Sequence, residues 1–373
     1  MAACKRPAPD AAHATTTQGP ATSSKRSRIS IGSIEEYEDR TPIGEGGYGV
    51  VLKARHRVTG NTVAIKCLSS PDDSAGLVRE ARFLVACRGN PYAVGFEGLV
   101  RDPATGALCL VMEHVPAESL HTILWNGRHG PPLSERTVRV FMWKLLTGAK
   151  MMHDGLVVHR DIKPANILIG PGGKIVKICD FGLALSMVSD LPPYAQAGTA
   201  GYMAPEMLLQ KPDYDAQVDM WSLGCVMGAM LTGGTLFLDD EVEDESIDEM
   251  LQLSNIFRVL GMPDKTTWPE FRSLPLAAQA MRLLPARHKH SRLREIFPEE
   301  KLSEQGFELL QGLLTCNPDK RLTAAKALKH PWFSAPPPRP SAAAAAKAEA
   351  MPLPTKKTQR FVVPLAALKA QRV

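Results

Sequence analysis

A short hairpin predicted near the middle of the chain constrains the fold more than any other feature, because it draws three polar side chains together. Apolar, strand-like runs at residues 166–169 and 175–179 flank a Gly-Pro-Gly-Gly turn, which predicts an antiparallel pair. This pair brings Asp161, Asn166 and Asp180 towards one place. Asn166 and Asp180 suit Mg²⁺, which prefers hard oxygen ligands and usually takes only one or two from the protein beside phosphates. Asp161 is then left to accept a proton.

Basic charge is confined to the two ends of the 373-residue chain. Residues 1–36 carry five Lys and Arg against three Asp and Glu, and residues 334–373 carry seven against one. Since the whole chain has a net charge of +5, the residues between carry −3. A nucleic-acid-binding domain needs a basic face on its folded part, so we expect no nucleic-acid partner. The length is enough for a large core or two lobes.

The cysteines and the hydropathy pattern favour an intracellular protein. The seven cysteines are scattered without a Cys-x-x-Cys pair and mostly lie in apolar runs, so we interpret them as reduced thiols. The N-terminus has no apolar core of the signal-peptide type, and no run of 18 apolar residues occurs in the sequence. We therefore expect no membrane partner.

Both ends of the chain differ in composition from the middle. Residues 1–36 are rich in Ala, Thr, Ser and Pro with almost no large apolar side chains, which predicts a disordered tail. Basic residues at 5–6 and 25–28 fit either a split nuclear-import signal, which weakly favours a nuclear over a cytoplasmic location, or a merely solubilising tail. The Pro/Ala-rich residues 334–373 predict a linker, which either stays undocked or docks through the apolar residues 361–368.

A glycine-rich segment lies inside a second predicted hairpin. Residues 44–51 contain Gly-x-Gly-x-x-Gly, which alone also fits a dinucleotide-binding fold, where it would open a helix. Here two strand-like runs, at 50–55 and 61–67, surround a Thr-Gly turn, and no helix begins at the glycines. A glycine loop inside a hairpin can fold its backbone over nucleotide phosphates.

Lys66 and Glu80 are predicted to pair. Lys66 closes the second strand of this hairpin, in the run Val-Ala-Ile-Lys. In the helix that follows, Glu80 falls on the apolar stripe of Leu77, Ala81 and Leu84. A carboxylate that faces inward needs a partner, and Lys66 is the natural one. The alternative is a solvated helix charge at Glu80.

Together these motifs resemble those of eukaryotic protein kinases. Residues 159–166, His-Arg-Asp-Ile-Lys-Pro-Ala-Asn, resemble the catalytic loop of that family. Asp-Phe-Gly at 180–182 resembles its metal-binding loop, and Ala-Pro-Glu at 204–206 resembles the motif that closes its activation segment. Residues 183–203 between the last two motifs resemble the activation segment. Residues 253–269, together with the glycine loop, are similar to segments that mark cyclin-dependent kinases and their relatives.

The resemblance implies an α+β, two-lobed protein kinase fold over residues 37–333. The small β-rich N lobe with one main helix would span 37–115, and the large, mainly helical C lobe 116–333. It implies a serine/threonine protein kinase that transfers the γ-phosphate of ATP, with Mg²⁺, to Ser or Thr of protein substrates. The kinase would be cyclin-dependent-kinase-like, with cell-cycle or transcription control as candidate roles and a cyclin or other activating subunit as a candidate partner. It further implies that Arg321 pairs with Glu206.

The resemblance also implies roles for the residues of the first hairpin. Asp161 would orient the substrate hydroxyl and accept its proton, and Thr199 would contact Asp161. Lys163 would lie near the transferred phosphate, and a lysine there marks the serine/threonine class. Asn166 and Asp180 would hold Mg²⁺.

The remaining implied site residues surround ATP. Lys66, steadied by Glu80, would anchor the α- and β-phosphates, and Met112 would lie behind the adenine. The residues implied to bind ATP are Ile43, Gly44, Glu45, Gly46, Gly47, Tyr48, Gly49, Val51, Ala64, Lys66, Glu80, Met112, Glu113, Val115, Leu168 and Asp180.

The chain departs from the cyclin-dependent kinase pattern at two specificity positions. The helix of Glu80 shares only Arg79-Glu80 with the cyclin-contact motif, so a cyclin-independent kinase stays open. Met203 replaces the arginine that precedes Ala-Pro-Glu in proline-directed kinases, so a kinase without a proline requirement also stays open.

A third departure concerns the activation segment. Tyr194 and Ala195 stand where the activating phosphothreonine of the family is expected, and Arg160 belongs to the basic pocket that grips that phosphate. The candidate occupants of this pocket are phosphorylated Ser186, phosphorylated Ser189, phosphorylated Tyr194 and Asp190.

Two other kinds of protein stay open beside an active protein kinase. One is a kinase-shaped scaffold that binds partners through its tails, although the chain keeps the lysine and both aspartates that pseudokinases commonly lose. The other is a small-molecule kinase of similar fold, which the activation segment and the Ala-Pro-Glu motif disfavour. The acidic run at 239–249 either attracts a basic partner or forms a solvated loop.

Overall fold

The structure is a computed structural model in which the chain divides into two units. The first unit comprises the residues up to 81 and residues 96–114, and the second comprises residues 82–95 and those from 115 onwards. Some of the predicted features lie outside what the structure describes. They are the tails at 1–30 and 335–373, Gly47 and Tyr48 of the glycine-rich segment, and residues 239–248 of the acidic run. The described ranges are 31–46, 49–68, 74–125, 131–237, 249–283 and 290–334.

The first unit is built on a mixed six-stranded sheet in the order β1-β5-β6-β4-β3-β2. The strand β1 runs parallel to β5, and every other neighbouring pair is antiparallel. One face of the sheet contributes Val63 and Ile65 to an apolar cluster, against which Ile34 also packs. The strands are β1 (Ile31–Ser33), β2 (Tyr37–Gly46), β3 (Gly49–His56), β4 (Thr62–Leu68), β5 (Phe96–Arg101) and β6 (Leu108–Glu113).

The predicted strand pair of this unit is present as β3 and β4. The glycine-rich segment joins β2 to β3, and β3 turns into β4 around Gly60, which has a left-handed φ of 70°. Helix α1 (Ser74–Ala86) follows β4, and its residues Leu77 and Ala81 are buried as their spacing predicts.

The prediction of disorder over residues 1–36 is wrong for its last six residues. Ile31–Ser33 pair with β5, and Ile34 is buried in the apolar cluster beneath the sheet. Ser33 and Glu36 form a reciprocal capping box, in which each side chain accepts a backbone N–H of the other end of a short 3-10 turn. Burial of Ile34, strand pairing with β5 and this local cap therefore order a segment whose average composition is polar.

The second unit is mainly helical, as the α+β class predicts. Two small antiparallel sheets, β10-β9-β7 and β11-β8, accompany the helices. The strands are β7 (Glu118–Ser119), β8 (Val157–Val158), β9 (Ile167–Ile169), β10 (Val176–Ile178) and β11 (Leu185–Ser186). The helices are α2 (Leu120–Leu124), α3 (Glu135–Asp154), α4 (Pro205–Leu208), α5 (Gln217–Thr232), α6 (Glu249–Leu260), α7 (Ala277–Leu283), α8 (Leu293–Ile296), α9 (Glu304–Leu313) and α10 (Ala324–Ala327).

Helix α5 is the core of the second unit. Every residue from Gln217 to Leu231 is buried, and the helix ends at Gly233, whose left-handed φ of 80° suits a C-terminal glycine. Helix α3 packs on α5 and begins after Ser134, whose hydroxyl accepts the N–H of Thr137. Within the described segments, no helix combines the length and the apolar character that crossing a bilayer requires.

A buried ion pair fastens the start of α4 to the C-terminal part of the unit, as predicted. Arg321 donates from Nη1 to Glu206 Oε1 at 2.7 Å and from Nη2 to Oε2 at 2.8 Å, and both side chains are almost fully buried. Arg321 also donates to the backbone carbonyls of Gln217, Thr315 and Cys316. Its guanidinium is therefore fully hydrogen-bonded, which a buried charge requires.

We expect Arg321→Met to destabilise the second unit by about 3–5 kcal/mol, because it leaves the Glu206 carboxylate buried without its counter-charge. The measurement is the free energy of unfolding in urea. The control is Arg292→Met, which removes a surface pair with Glu295 whose side chains are 55% and 63% exposed, and should change stability by less than about 1 kcal/mol. Equal losses for the two variants would contradict the assignment.

Candidate active site

One buried carboxylate holds the backbone of the predicted catalytic loop in place. Asp219, in the first turn of α5, is 0% exposed and accepts the backbone N–H of His159 at 2.9 Å and that of Arg160 at 2.8 Å. His153 Nε2 lies 2.9 Å from the same carboxylate. Burial alone would raise the pKa of Asp219, but the hydrogen bond and charge of His153, with those of His159, outweigh it and lower the pKa. The carboxylate thus stays ionised and fixes the loop backbone.

The four predicted catalytic side chains are in contact: three belong to this loop, and Thr199 reaches them from the activation segment. Thr199 Oγ1 donates to Asp161 Oδ1 at 2.6 Å, and Asn166 Nδ2 donates to Asp161 Oδ2 at 2.9 Å. Lys163 Nζ lies 3.1 Å from Asp161 Oδ2 and 2.5 Å from Thr199 Oγ1. The predicted contact between Thr199 and Asp161 is therefore present, and Asp161 is only 7% exposed.

The predicted hairpin of β9 and β10 connects this cluster to Asp180. Its strands pair antiparallel, with Ile169 opposite Val176 and Ile167 opposite Ile178. At its open end, Cys179 N–H donates to Asn166 O at 2.9 Å, so Asp180 follows directly on a residue tied to Asn166. Asp180 has a φ of 65°, which is uncommon for a residue other than glycine and is found most often where function over-determines the backbone.

The first unit contains the predicted ion pair of Lys66 and Glu80. Lys66 Nζ on β4 lies 2.9 Å from Glu80 Oε2 on α1, and the two side chains are 12% and 4% exposed. Glu80 is therefore an inward-facing carboxylate with a partner, and the alternative of a solvated helix charge is wrong.

One face of the sheet carries several of the other residues implied to bind ATP. Directly opposed residues share a face, and Val51 lies opposite Lys66 while Ala64 lies opposite Met112. Since side chains alternate along β4, Ala64 and Lys66 also share that face, and the apolar cluster lies on the other. The described ATP-site residues are Ile43, Gly44, Glu45, Gly46, Gly49, Val51, Ala64, Lys66, Glu80, Met112 and Glu113 in the first unit, and Val115, Leu168 and Asp180 in the second.

Gly49 shows why the loop between β2 and β3 needs glycine. Its φ is 131°, and a Cβ at this position would lie 2.1 Å from the backbone oxygen of Cys67. The loop backbone therefore sits directly on β4, one residue past Lys66. Any larger residue would separate the two strands.

Arg160 has neutral partners that the sequence analysis did not identify. Its Nη1 donates to the hydroxyl of Tyr214 at 2.7 Å and to Ala195 O at 3.1 Å, and its Nε donates to Leu183 O at 2.6 Å. Tyr214 in turn donates to Ala195 O at 2.6 Å. Burial raises the pKa of Tyr214, so its phenol stays neutral. Among the predicted occupants of this pocket, Asp190 accepts the N–H of Ser186 at 2.8 Å.

Met203 is half-buried in the region predicted to select the residue after the phosphoacceptor. Gln196 Nε2 lies 3.9 Å from its sulfur, and Gln252 Nε2 donates to its carbonyl at 3.4 Å. An added Cβ on Gly198, which has a φ of 126°, would lie 3.0 Å from Met203 Cγ. The Met203 thioether thus packs over a glycine backbone.

The sequence is similar to those of known proteins. A family described as "Protein kinase domain" matches residues 37–333. The chain is 44% identical over 308 residues to the putative cyclin-dependent kinase F-2 of Oryza sativa subsp. japonica, covering 81% of this chain and 90% of the relative. It is 38% identical over 312 residues to cyclin-dependent kinase G-1 of Oryza sativa subsp. indica, covering 81% of this chain and 43% of the relative. It is 33% identical over 310 residues to human (Homo sapiens) cyclin-dependent kinase 11A, covering 82% of this chain and 38% of the relative.

The fold and the side-chain cluster are those of a protein kinase. The chain belongs to the eukaryotic serine/threonine protein kinase family and, within it, to the cyclin-dependent-kinase-like kinases. It spans most of one of these relatives and less than half of the other two. This membership does not favour the inactive scaffold, and members of the family generally use ATP and Mg²⁺.

We expect Tyr214→Phe to loosen the activation segment, because it removes a hydroxyl that both accepts from Arg160 and donates to Ala195. Loss of such a buried bond to a charged group is worth about 1.5–3 kcal/mol. The measurement is amide hydrogen exchange at residues 194–198, which should be faster than in the wild type. Tyr92→Phe serves as a control that leaves this network intact. Unchanged exchange in Tyr214→Phe would contradict the role of the hydroxyl.

Proposed function

We propose that this kinase transfers the γ-phosphoryl group of MgATP to Ser or Thr hydroxyls of protein substrates, with Asp161 as the group that accepts the hydroxyl proton. The carrying observation is the set of three donors fixed on the Asp161 carboxylate. An ionised carboxylate offers about four lone-pair sites. Thr199 takes one on Oδ1, and Asn166 and Lys163 take those on Oδ2. One site on Oδ1 is left for the substrate hydroxyl.

Asn166 is oriented for a cation by the same contacts. Both hydrogen bonds of the Asn166 side chain run from Nδ2, one to Asp161 O and one to Asp161 Oδ2, each at 2.9 Å. The side-chain oxygen Oδ1 of Asn166 is therefore the atom that we assign to Mg²⁺, and Asp180 would supply a carboxylate oxygen. These are hard oxygen donors of the number that Mg²⁺ takes from proteins. When bound, the ion would neutralise charge on the phosphates of ATP.

Lys66 and Lys163 are the cations that we assign to phosphate oxygens. The pair with Glu80 fixes the Lys66 ammonium at one point of the sheet face that also carries Val51 and Ala64. Lys163 is held on Thr199 and Asp161, so its charge lies beside the proton acceptor. Preorganised charges of this kind stabilise the transferring group without reorganisation during the reaction.

We further propose that the activation segment does not depend on a phosphate. In the family, phosphorylation orders this segment by giving the catalytic-loop arginine a charged partner. Here the hydroxyl of Tyr214 and the carbonyls of Leu183 and Ala195 already bind Arg160. The names of the relatives point to a cyclin as a candidate activating partner, and a cyclin-independent kinase is the alternative.

We expect Asp161→Asn to lower the transfer rate by about 10²–10⁴-fold, the usual contribution of a positioned proton acceptor. Asp180→Asn should abolish transfer by removing the carboxylate ligand of Mg²⁺. The measurement uses γ-labelled ATP and a degenerate Ser/Thr peptide array, and thermal unfolding checks the fold of each variant. Asp213→Asn, whose side chain is 64% exposed, is the control with full activity. Wild-type rates in Asp161→Asn or Asp180→Asn would refute the assignment.

We expect phosphatase treatment to leave the transfer rate unchanged, because Arg160 already has its partners. Mass spectrometry would verify that Ser186, Ser189 and Tyr194 are unmodified in the treated sample. The same array, run with and without candidate cyclins, reports whether proline is preferred after the acceptor and whether a cyclin is needed. Loss of activity on dephosphorylation, regained on rephosphorylation, would contradict this part of the proposal.

A further inference from the structure

Two cysteines face each other across the central strands of the first unit. Cys67 on β4 lies directly opposite Cys109 on β6. Both point to the sheet face that packs on the apolar cluster, of which Cys109 is a member and against which Cys67 packs. Neither of the two is in a disulfide.

The two thiols differ in a way that suits a reactive and a resolving cysteine. Cys67 is half-buried, whereas Cys109 is 1% exposed. A hydrogen bond from Cys109 lowers the pKa of Cys67, against an opposing effect of burial, and the same bond together with burial raises the pKa of Cys109. A thiolate at Cys67 is therefore stabilised by the thiol of Cys109. Oxidation favours cysteines that are accessible, have a lowered pKa and lie beside a second thiol.

Three of the other cysteines that the structure describes have a raised pKa instead. Burial raises the pKa of Cys87 and that of Cys316 to about 12, and it also raises the pKa of Cys225. These thiols stay protonated at neutral pH, and a protonated thiol is a poor nucleophile. They provide internal controls in the same chain.

The sheet geometry is close to that of a disulfide. Directly opposed residues of an antiparallel pair have Cβ atoms about 4.5–5.5 Å apart. A disulfide needs about 3.5–4.5 Å between Cβ atoms. Closing the bond therefore requires the strands to approach by about 1 Å, and a bond formed under such strain is readily reduced again.

We propose that Cys67 and Cys109 are a redox-sensitive dithiol, in which a hydroperoxide oxidises Cys67 and Cys109 then closes a reversible disulfide. In the first step the Cys67 thiolate attacks one peroxide oxygen, the O–O bond breaks, and Cys67 becomes a sulfenic acid while the peroxide leaves as water or an alcohol after protonation. In the second step the Cys109 sulfur attacks the Cys67 sulfur, the S–O bond breaks, and the departing hydroxide takes up the Cys109 thiol proton and leaves as water. Two thiols and one peroxide thus give one disulfide.

The location of the pair ties it to the nucleotide site, a step that rests on the proposed function. Cys67 follows Lys66, and its backbone oxygen supports Gly49 of the glycine loop. Drawing β4 towards β6 at Cys67 displaces both features together. We expect the disulfide to weaken ATP binding, and reduction to restore it.

The test treats the reduced full-length protein with hydrogen peroxide and maps its peptides by mass spectrometry. The wild type should yield one linked peptide joining Cys67 to Cys109, lighter by two hydrogens and lost on reduction. In Cys109→Ser, which cannot close the bond but keeps a hydroxyl donor beside Cys67, Cys67 should accumulate sulfenic acid that dimedone traps. Cys316→Ser should behave as the wild type. Absence of the linked peptide, or faster oxidation of Cys316 than of Cys67, would overturn the dithiol.

A kinetic arm separates this proposal from the proposed function. The KM for ATP should rise severalfold in the oxidised wild type, return on reduction, and stay unchanged in peroxide-treated Cys67→Ser. Thermal unfolding of the reduced variants checks that the substitutions leave the fold intact. If the reduced wild type transfers no phosphate, the kinase assignment fails while the peptide map still decides the dithiol. A linked peptide with unchanged KM would overturn the coupling to the nucleotide site.

Discussion

The catalytic loop depends first on the buried carboxylate of Asp219. It binds two successive backbone N–H groups, those of His159 and Arg160, at the point where Arg160 adopts a left-handed φ of 67°. A strained backbone persists only where its surroundings over-determine it, and a buried ionised acceptor with two donors does so. The position of Asp161 follows, because it is the next residue in the chain. The fully buried helix α5 thus transmits its rigidity to the group that is proposed to accept the proton.

Short-range patterns made much of the candidate site predictable. The hairpin of β9 and β10 follows from two apolar runs around a turn, and the pair of Lys66 and Glu80 follows from a carboxylate on an apolar helix stripe. Both predictions use the periodicity of one element and the need of a buried charge for a partner. The bond between Arg321 and Glu206, 115 residues apart, was found only through the family resemblance.

Contacts set by tertiary packing were not predictable in the same way. Tyr214 reaches Arg160 from a loop before α5, and no periodicity or motif singles out its hydroxyl. The order of residues 31–36 was not predicted because composition was averaged over the whole tail, whereas buried Ile34, pairing with β5 and one capping box decide it locally. In both cases a single well-placed group outweighs the character of its segment.

Strand β4 shows how alternation lets one element serve two chemistries. Lys66 points to the face with Val51, Ala64 and Met112, and Cys67 points to the apolar cluster on the other face. Because neighbouring side chains share one backbone, a change in strand separation at Cys67 must move Lys66 as well. The Cys67 oxygen lies so close to the Gly49 backbone that an added Cβ would come within 2.1 Å of it, so moving β4 towards β6 also withdraws this support from the glycine loop. The dithiol on one face and the nucleotide site on the other are therefore coupled through the backbone of β4 and its hydrogen-bonded neighbours β3 and β6.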